Sequence, residues 1–503
     1  SDREFQANGE DNRVSKSIDL RADYELSERD RFSASGEFYR RDAGSHLEEN
    51  TLLLDTDGDA IQRSQRVRRG DEVDRESGMV LDWRHSGEKD GDGLTVTVQR
   101  AESAERRPLR FTENFFLPAR PPTVQDQGFF EEQVRTELAI ENEKRFDSGG
   151  KFLAGYELVD DDAAFKIAQT TSAEPGQPSA IDPDFSNLFR YTQTNHAVYA
   201  SYELPLAPWT MLAGLRLERV DLEARQVTTA QRNRQDYVSA YPSLHFAREI
   251  GEQQSLTFSY SRRVSRPAWQ DMNPFRVRMD PYALQEGNPD LQPTEVDALE
   301  AGWSREAGQR SLSATLYARR SRDEVTYVTT PISPTVVVTR PENLGESMSG
   351  GLELAASNRL MTNVDFRLSG NVYYNEIDAS NLGFDDERST IGYSAKAALT
   401  ARIGERHRAQ LNLNTSGKRL TPQGYRRGST VLDMGYRYQL RSNFSLTASV
   451  SDVFETRRDR IVMDTPEISN SIRIQQAGRI VFIGVSWSLA NDANKQSESF
   501  EYE

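Results

Sequence analysis

The chain has 503 residues, of which 36% are hydrophobic and 28% charged, with a formal net charge of -16 and no cysteine. A mean hydropathy of -0.71, with no run approaching about 18 apolar residues, excludes a helical membrane protein. The acidic balance argues against nucleic-acid binding, which needs a basic surface, and the lack of cysteine excludes disulfides and thiolate metal sites.

No apolar leader follows Ser1, so a removed signal peptide or a late start is expected. The first predicted strand is "SIDLRADYEL" at 17–26, and residues 1–16 read as the remnant of an extracellular loop. In "LTVTVQ", Leu94, Val96 and Val98 share a face opposite Thr95, Thr97 and Gln99. "WTMLAGLRLE" sets Trp209, Met211, Ala213, Leu215 and Leu217 against Thr210, Gly214, Arg216 and Glu218, with Leu212 as an exception. "VDFRLSGNVYY" opposes Val364, Phe366, Leu368 and Val372 to Asp365, Arg367, Ser369 and Asn371. "AQLNLNTSG" and "FSLTASVSD" repeat the pattern, and the last strand is "RIVFIGVSWSL" at 479–489. A polar tail, "ANDANKQSESFEYE", occupies 490–503. Walls with lipid on one side and water on the other are written this way.

Pattern matching gives about 19 strands. Short turns, such as 204–209, 357–362, 403–408 and 440–443, alternate with long excursions near 43–75, 103–130, 160–193, 221–236, 266–293, 322–346, 377–389, 418–428 and 453–477. All-β transmembrane barrels do this, with short periplasmic turns and long extracellular loops. By this alternation both the first and the last strand run down to the periplasm. An even-stranded barrel of about 22 would then need about three more strands, so the chain is expected to be a fragment.

"SYSRRVSRPAWQDMNPF", "DPYALQEGNPDLQPTEVDALEAGWS", "RPENLGESMSGGLELAAS", "TPQGYRRGSTVLDMGYRYQL" and "SLTASVSDVFETRR" occur in that order. They resemble the barrel of a TonB-dependent outer-membrane receptor, in the β-barrel subgroup related to iron-complex receptors, over residues 17–489. The resemblance implies a Gram-negative outer-membrane protein without enzymatic activity or cofactor. It would be surrounded by lipid, monomeric, and active in the import of a scarce ligand such as a ferric siderophore. Import would be energised by an inner-membrane TonB–ExbB–ExbD complex. No plug domain or TonB box is recognisable in the chain. A passive porin-like channel is the alternative, and an outer-membrane enzyme or adhesin a third reading.

Trp269, Arg276, Arg278 and Tyr282 in one long loop, with Arg322 and Tyr327 in the next hairpin, are the candidate ligand-binding residues. An aromatic and basic rim would suit an anionic or sugar-like ligand, whereas a solvated loop needs no ligand. "GNPDLQPT" at 287–294 reads as turn chemistry. Asp55, Asp57 and Asp59 alternate as in a calcium loop, but Ala60 and Arg66 replace its Gly and Glu, so the calcium reading is weak. The histidines at 46, 85, 196, 245 and 407 lack ligand spacing. No P-loop, dinucleotide fingerprint or nucleophile elbow is present. Trp209, Tyr202, Trp303, Tyr436, Tyr438 and Trp487 are expected in aromatic girdles near strand ends.

Overall fold

Alternating strands leave their backbone amides unpaired unless a neighbour takes them, so they must join edge to edge. The computed structural model describes residues 2–487, except 56, 90, 173–179, 334, 385–387, 467 and 475–477. Among the described residues, 19 strands are eight residues or longer and seven are shorter, with 22 of them in one sheet and four in a second. The three helical segments are single 3-10 turns.

The chain divides into two compact units. In the first (1–244, 261–295 and 325–343), eight strands from Asp2–Glu25 to Trp209–Gln226 pair antiparallel in chain order. In the second (245–260, 296–324 and 344–503), a similar run passes from Val337–Met361, beyond its first residues, to Val364–Asp378, Arg388–Ile403, His407–Ser416, Thr430–Arg441, Phe444–Ser451 and Ile480–Trp487. Arg419–Thr421, Gly424–Arg426, Asp459–Asp464 and Ser469–Ile474 form the small second sheet.

Register sorts the side chains as the sequence predicts. Phe366, Leu399, Leu411, Met434 and Val450 lie opposite one another across five strands. One residue along, Arg367, Ala398, Asn412 and Asp433 occupy the other face. Leu368 is 49% exposed and Leu413 38%, although both are leucines in fully paired strands. Exposed apolar side chains on one face with polar ones on the other are what lipid outside and water inside require. On the apolar face, beside the short turns at 404–406 and 442–443, the His407 ring lies 4.8 Å from that of Tyr438, and its Nδ1 is 2.5 Å from the Tyr436 hydroxyl. These rings sit where a girdle was expected.

Several excursions prove shorter than the sequence suggests. Residues 2–16 are not a loop remnant but strand, paired from Asp2↔Leu54 to Lys16↔Arg40. Most of 43–75 continues the hairpin Asp30–Leu54/Ala60–Ser86, and 103–130 is strand except at Pro118. Much of 160–193, 221–236 and 322–346 is likewise strand. A crossing needs about 9–11 residues, yet these strands reach 27. Beyond the lipid both faces meet water, the apolar alternation lapses, and the strand reads as loop.

Candidate ligand site beneath an inward-folded loop

On strands Lys151–Ser172, Asn187–Leu206 and Trp209–Gln226 the lumen face changes character along its length. Lower down it carries Glu157, Asp161, Gln193, Asn195, Arg216 and Glu218. Higher up, on the same alternate positions, it carries Ala163, Phe189, Tyr191, Val220, Leu222 and Ala224. Such an apolar patch on a water-facing wall needs a cover. Loop 266–293 supplies it. Trp269 and Met272 join those six residues in one buried cluster, with Trp269 stacked on Phe189 at 6.5 Å between centroids.

Polar contacts fix the loop along its length. Arg266 binds Glu218, which also takes Nε of Arg216 at 2.5 Å. Trp269 Nε1 donates to Gln133 at 3.4 Å. Arg66, beside Glu49 at 3.7 Å and 3.9 Å above the Phe111 ring, donates to the Met279 carbonyl. Gly287 and Asn288 donate their amides to the carbonyls of Asn273 and Asp271, at 2.7 and 2.6 Å. A Cβ on Gly287 would stand 2.4 Å from the Asp271 carbonyl, so only glycine fits. Asn288 is buried and donates to Glu342 at 2.8 Å. "GNPDLQPT" is therefore structural, as its turn chemistry implies.

Between this loop and the wall lies a cavity of 290 Å³. Its aromatic lining is Phe111, Phe129, Phe165, Trp269 and Phe275, and its basic lining Arg68, Arg107 and Arg278, with Glu49, Asp271 and Glu286 as acids. Arg107 lies 5.0 Å from the Phe129 centroid, and Arg278 lies 3.9 Å above Phe185. The Nε atoms of Arg68 and Arg278 are buried without a hydrogen-bond partner in the protein. Burial pushes the carboxyls of Glu49 and Glu113 up, against the pull of Arg66, and lowers Arg278. A second, polar chamber of 320 Å³ lies on the other side of Trp269, with Arg135, Glu157, Asp161, Arg216, Glu218 and Arg266 in its wall.

The predicted site residues separate on this map. Trp269 and Arg278 line the cavity. Tyr282 is buried, with its hydroxyl taking a hydrogen bond from Gln62 at 2.5 Å. Arg276 pairs with Glu286 at 2.6 Å. Tyr327 donates its hydroxyl to Asp271 at 2.9 Å; burial and that carboxylate push the phenol up to about 12. Arg322 belongs to the second unit and is half-buried on its strand. The carboxylate of Asp55 accepts the amides of Asp57 and Asp59, both at 2.9 Å, so it closes a turn. The acids that do converge are Glu72, Asp74 and Glu105, and Arg41 bridges the first two. Arg68, Arg107, Phe111, Phe129 and Phe165 were missed, since all five fall in segments read as loop. The alternation of Leu109, Phe111 and Phe115 in "LRFTENFF" was the available signal.

Comparison with known proteins agrees with this architecture. Residues 85–487 match the outer membrane protein beta-barrel family. The chain is similar to the structure of the copper transporter OprC, at 12% identity and TM-score 0.59, over 96% of this chain and 80% of that one. It is similar to the siderophore receptor PiuA from Acinetobacter baumannii at 10% identity and TM-score 0.59, over 96% and 81%. The ferric-catecholate import receptor Fiu from Escherichia coli K12 gives the same values. No curated protein matches the sequence. With more than half its length matched and the strand architecture in place, the chain belongs to the outer membrane protein beta-barrel family, a Gram-negative outer-membrane protein.

Proposed function

We propose that the chain is the wall of an active-transport receptor rather than an enzyme. It binds a scarce ligand, such as a ferric siderophore or another large nutrient, at its outer mouth. The ligand then passes to the periplasm with energy from a TonB–ExbB–ExbD complex, through a plug that acts with this monomeric wall. The observation that carries this reading is the cavity, where Arg68, Arg107 and Arg278 stand among five aromatic rings. Guanidinium groups bind carboxylate or phenolate oxygens and stack on aromatic planes, so the site suits an anionic chelate with aromatic arms. That receptors and a transporter share the fold supports transport in general.

Titration of the purified chain with the ferric complex of 2,3-dihydroxybenzoate, followed by tryptophan fluorescence, tests the reading. Arg68→Gln with Arg107→Gln should weaken binding at least about tenfold, as expected for losing charge-assisted hydrogen bonds of about 1.5–3 kcal/mol. Saturable binding that ignores both substitutions would remove the cavity from the account.

A further inference from the structure

In the first unit, outside the cavity, several lumen-wall arginines are neutralised by acids beside them. Arg216 sits between Glu157 at 2.8 Å and Glu218 at 2.5 Å, Arg135 takes Asp161 at 3.1 Å, and Arg41 takes Glu72 and Asp74. The second unit differs beside its short turns. Arg402 lies directly opposite Arg408, and Arg408 directly opposite Arg437, on three adjacent strands and on the same face as Arg367 and Asn412. Like charges in direct cross-strand register are destabilising. The acid among them is Asp365, and it is already engaged by Arg359 at 2.8 Å and Arg402 at 3.0 Å. Among the described residues, no carboxylate lies within ion-pair distance of Arg367, Arg408 or Arg437, and Nε of Arg408 is buried without a partner. Arg437 has only the Ser445 hydroxyl, at 3.1 Å.

We propose that this arginine row is a docking surface for the chain's own acidic C-terminal segment, residues 488–503. That segment carries Asp492, Glu498, Glu501 and Glu503 against a lone Lys495. It lies outside the described residues, and the last described residue before it, Trp487, is near the row. Trp487 pairs with Phe444 at the short-turn end, and Arg437 stands opposite Thr447, three residues up the same neighbouring strand. Arg437 is two strands from Trp487 and Arg402 four, about 10 and 19 Å at the usual strand spacing. Sixteen residues reach about 50 Å when extended, so length is no obstacle. Charge selects the segment: four carboxylates in a short stretch meet the three guanidinium groups of Arg367, Arg408 and Arg437.

A spin label tests this in the full chain, because no native cysteine competes with Ser499→Cys. At low ionic strength the label should show an immobilised component. It should disappear in 1 M KCl, where the screening length falls to about 3 Å, and in Arg408→Gln/Arg437→Gln. Should that double variant fail to fold, judged by heat-modifiable gel mobility, Glu498→Gln/Glu501→Gln/Glu503→Gln leaves the strands untouched and should free the label equally. A label as mobile in the native sequence as in the tail variant overturns the proposal, and so does one held irrespective of salt and charge. Saturable binding of inorganic phosphate to the row beside a freely moving label would give the surface to a small anion instead.

Discussion

Trp269 and Arg276 lie seven residues apart in one loop and have opposite weights. Trp269 is 6% exposed and stacked on Phe189, so Trp269→Ala should cost about 3–5 kcal/mol locally. Hydrogen exchange across 269–291 would rise steeply, while the strands stay protected. Arg276→Ala removes a pair whose arginine is half exposed, worth about 1 kcal/mol, and should leave that exchange nearly unchanged. Asp271 adds a pH dependence. Burial raises its carboxyl, against the pull of the Tyr327 hydroxyl bond. A raised carboxyl means that the folded loop holds its proton more tightly than the unfolded chain. Loop protection should therefore be greatest at acid pH and decline as pH climbs from 3.8 through the raised value. Tyr327→Phe, by removing the bond that lowers it, should carry the decline to higher pH. Protection that instead increases over this range would reverse the assigned sign.

At the scale of the element, register is the claim under test. A slip of one residue would exchange the two faces of a strand. Leu413→Arg places a charge on the apolar face, at about 2–4 kcal/mol if it lies near mid-bilayer, whereas Asn412→Arg adds one to a polar face. Heat-modifiable mobility should show the first variant failing to assemble and the second assembling normally; equal behaviour would refute the register. Connections give a second test: Thr335→Cys should be labelled by an impermeant maleimide on intact cells, and Ala207→Cys should not. The reverse labelling would invert the topology. These features were legible because one face of each crossing strand meets lipid. "VDFRLSGNVYY" and "WTMLAGLRLE" show their faces in the sequence for that reason. "LRFTENFF" was not legible in the same way. There Leu109, Phe111 and Phe115 are buried and Phe111 faces the cavity, with no lipid involved, so apolar alternation alone named neither strand nor side. Trp269 had the opposite difficulty. A tryptophan among arginines and prolines reads as rim, and only the apolar patch of three distant strands makes it core.

For the whole molecule, the question is what fills the bore. A barrel of about 22 strands is too wide for side chains alone to close. Loop 266–293 is held against the lumen face of its own unit by Trp269 and Met272. In planar bilayers, replacing residues 270–290 with a short Gly-Ser linker should raise conductance several-fold over the intact chain. Equal conductance in correctly inserted protein would mean that the loop does not limit flow.

The strands that rise beyond the lipid carry one more implication, for recognition from outside the cell. The hairpin Ala60–Ser86/Gly93–Leu117 keeps its cross-strand partners almost to Pro118, and 27 residues span about 90 Å of strand. The cell therefore displays paired ladders rather than slack peptide over 43–75 and 103–130. An antibody or phage tail that meets this surface reads side chains from adjacent strands, brought together only by folding. Sera raised against linear peptides from these segments should bind denatured protein on blots and fail on living cells.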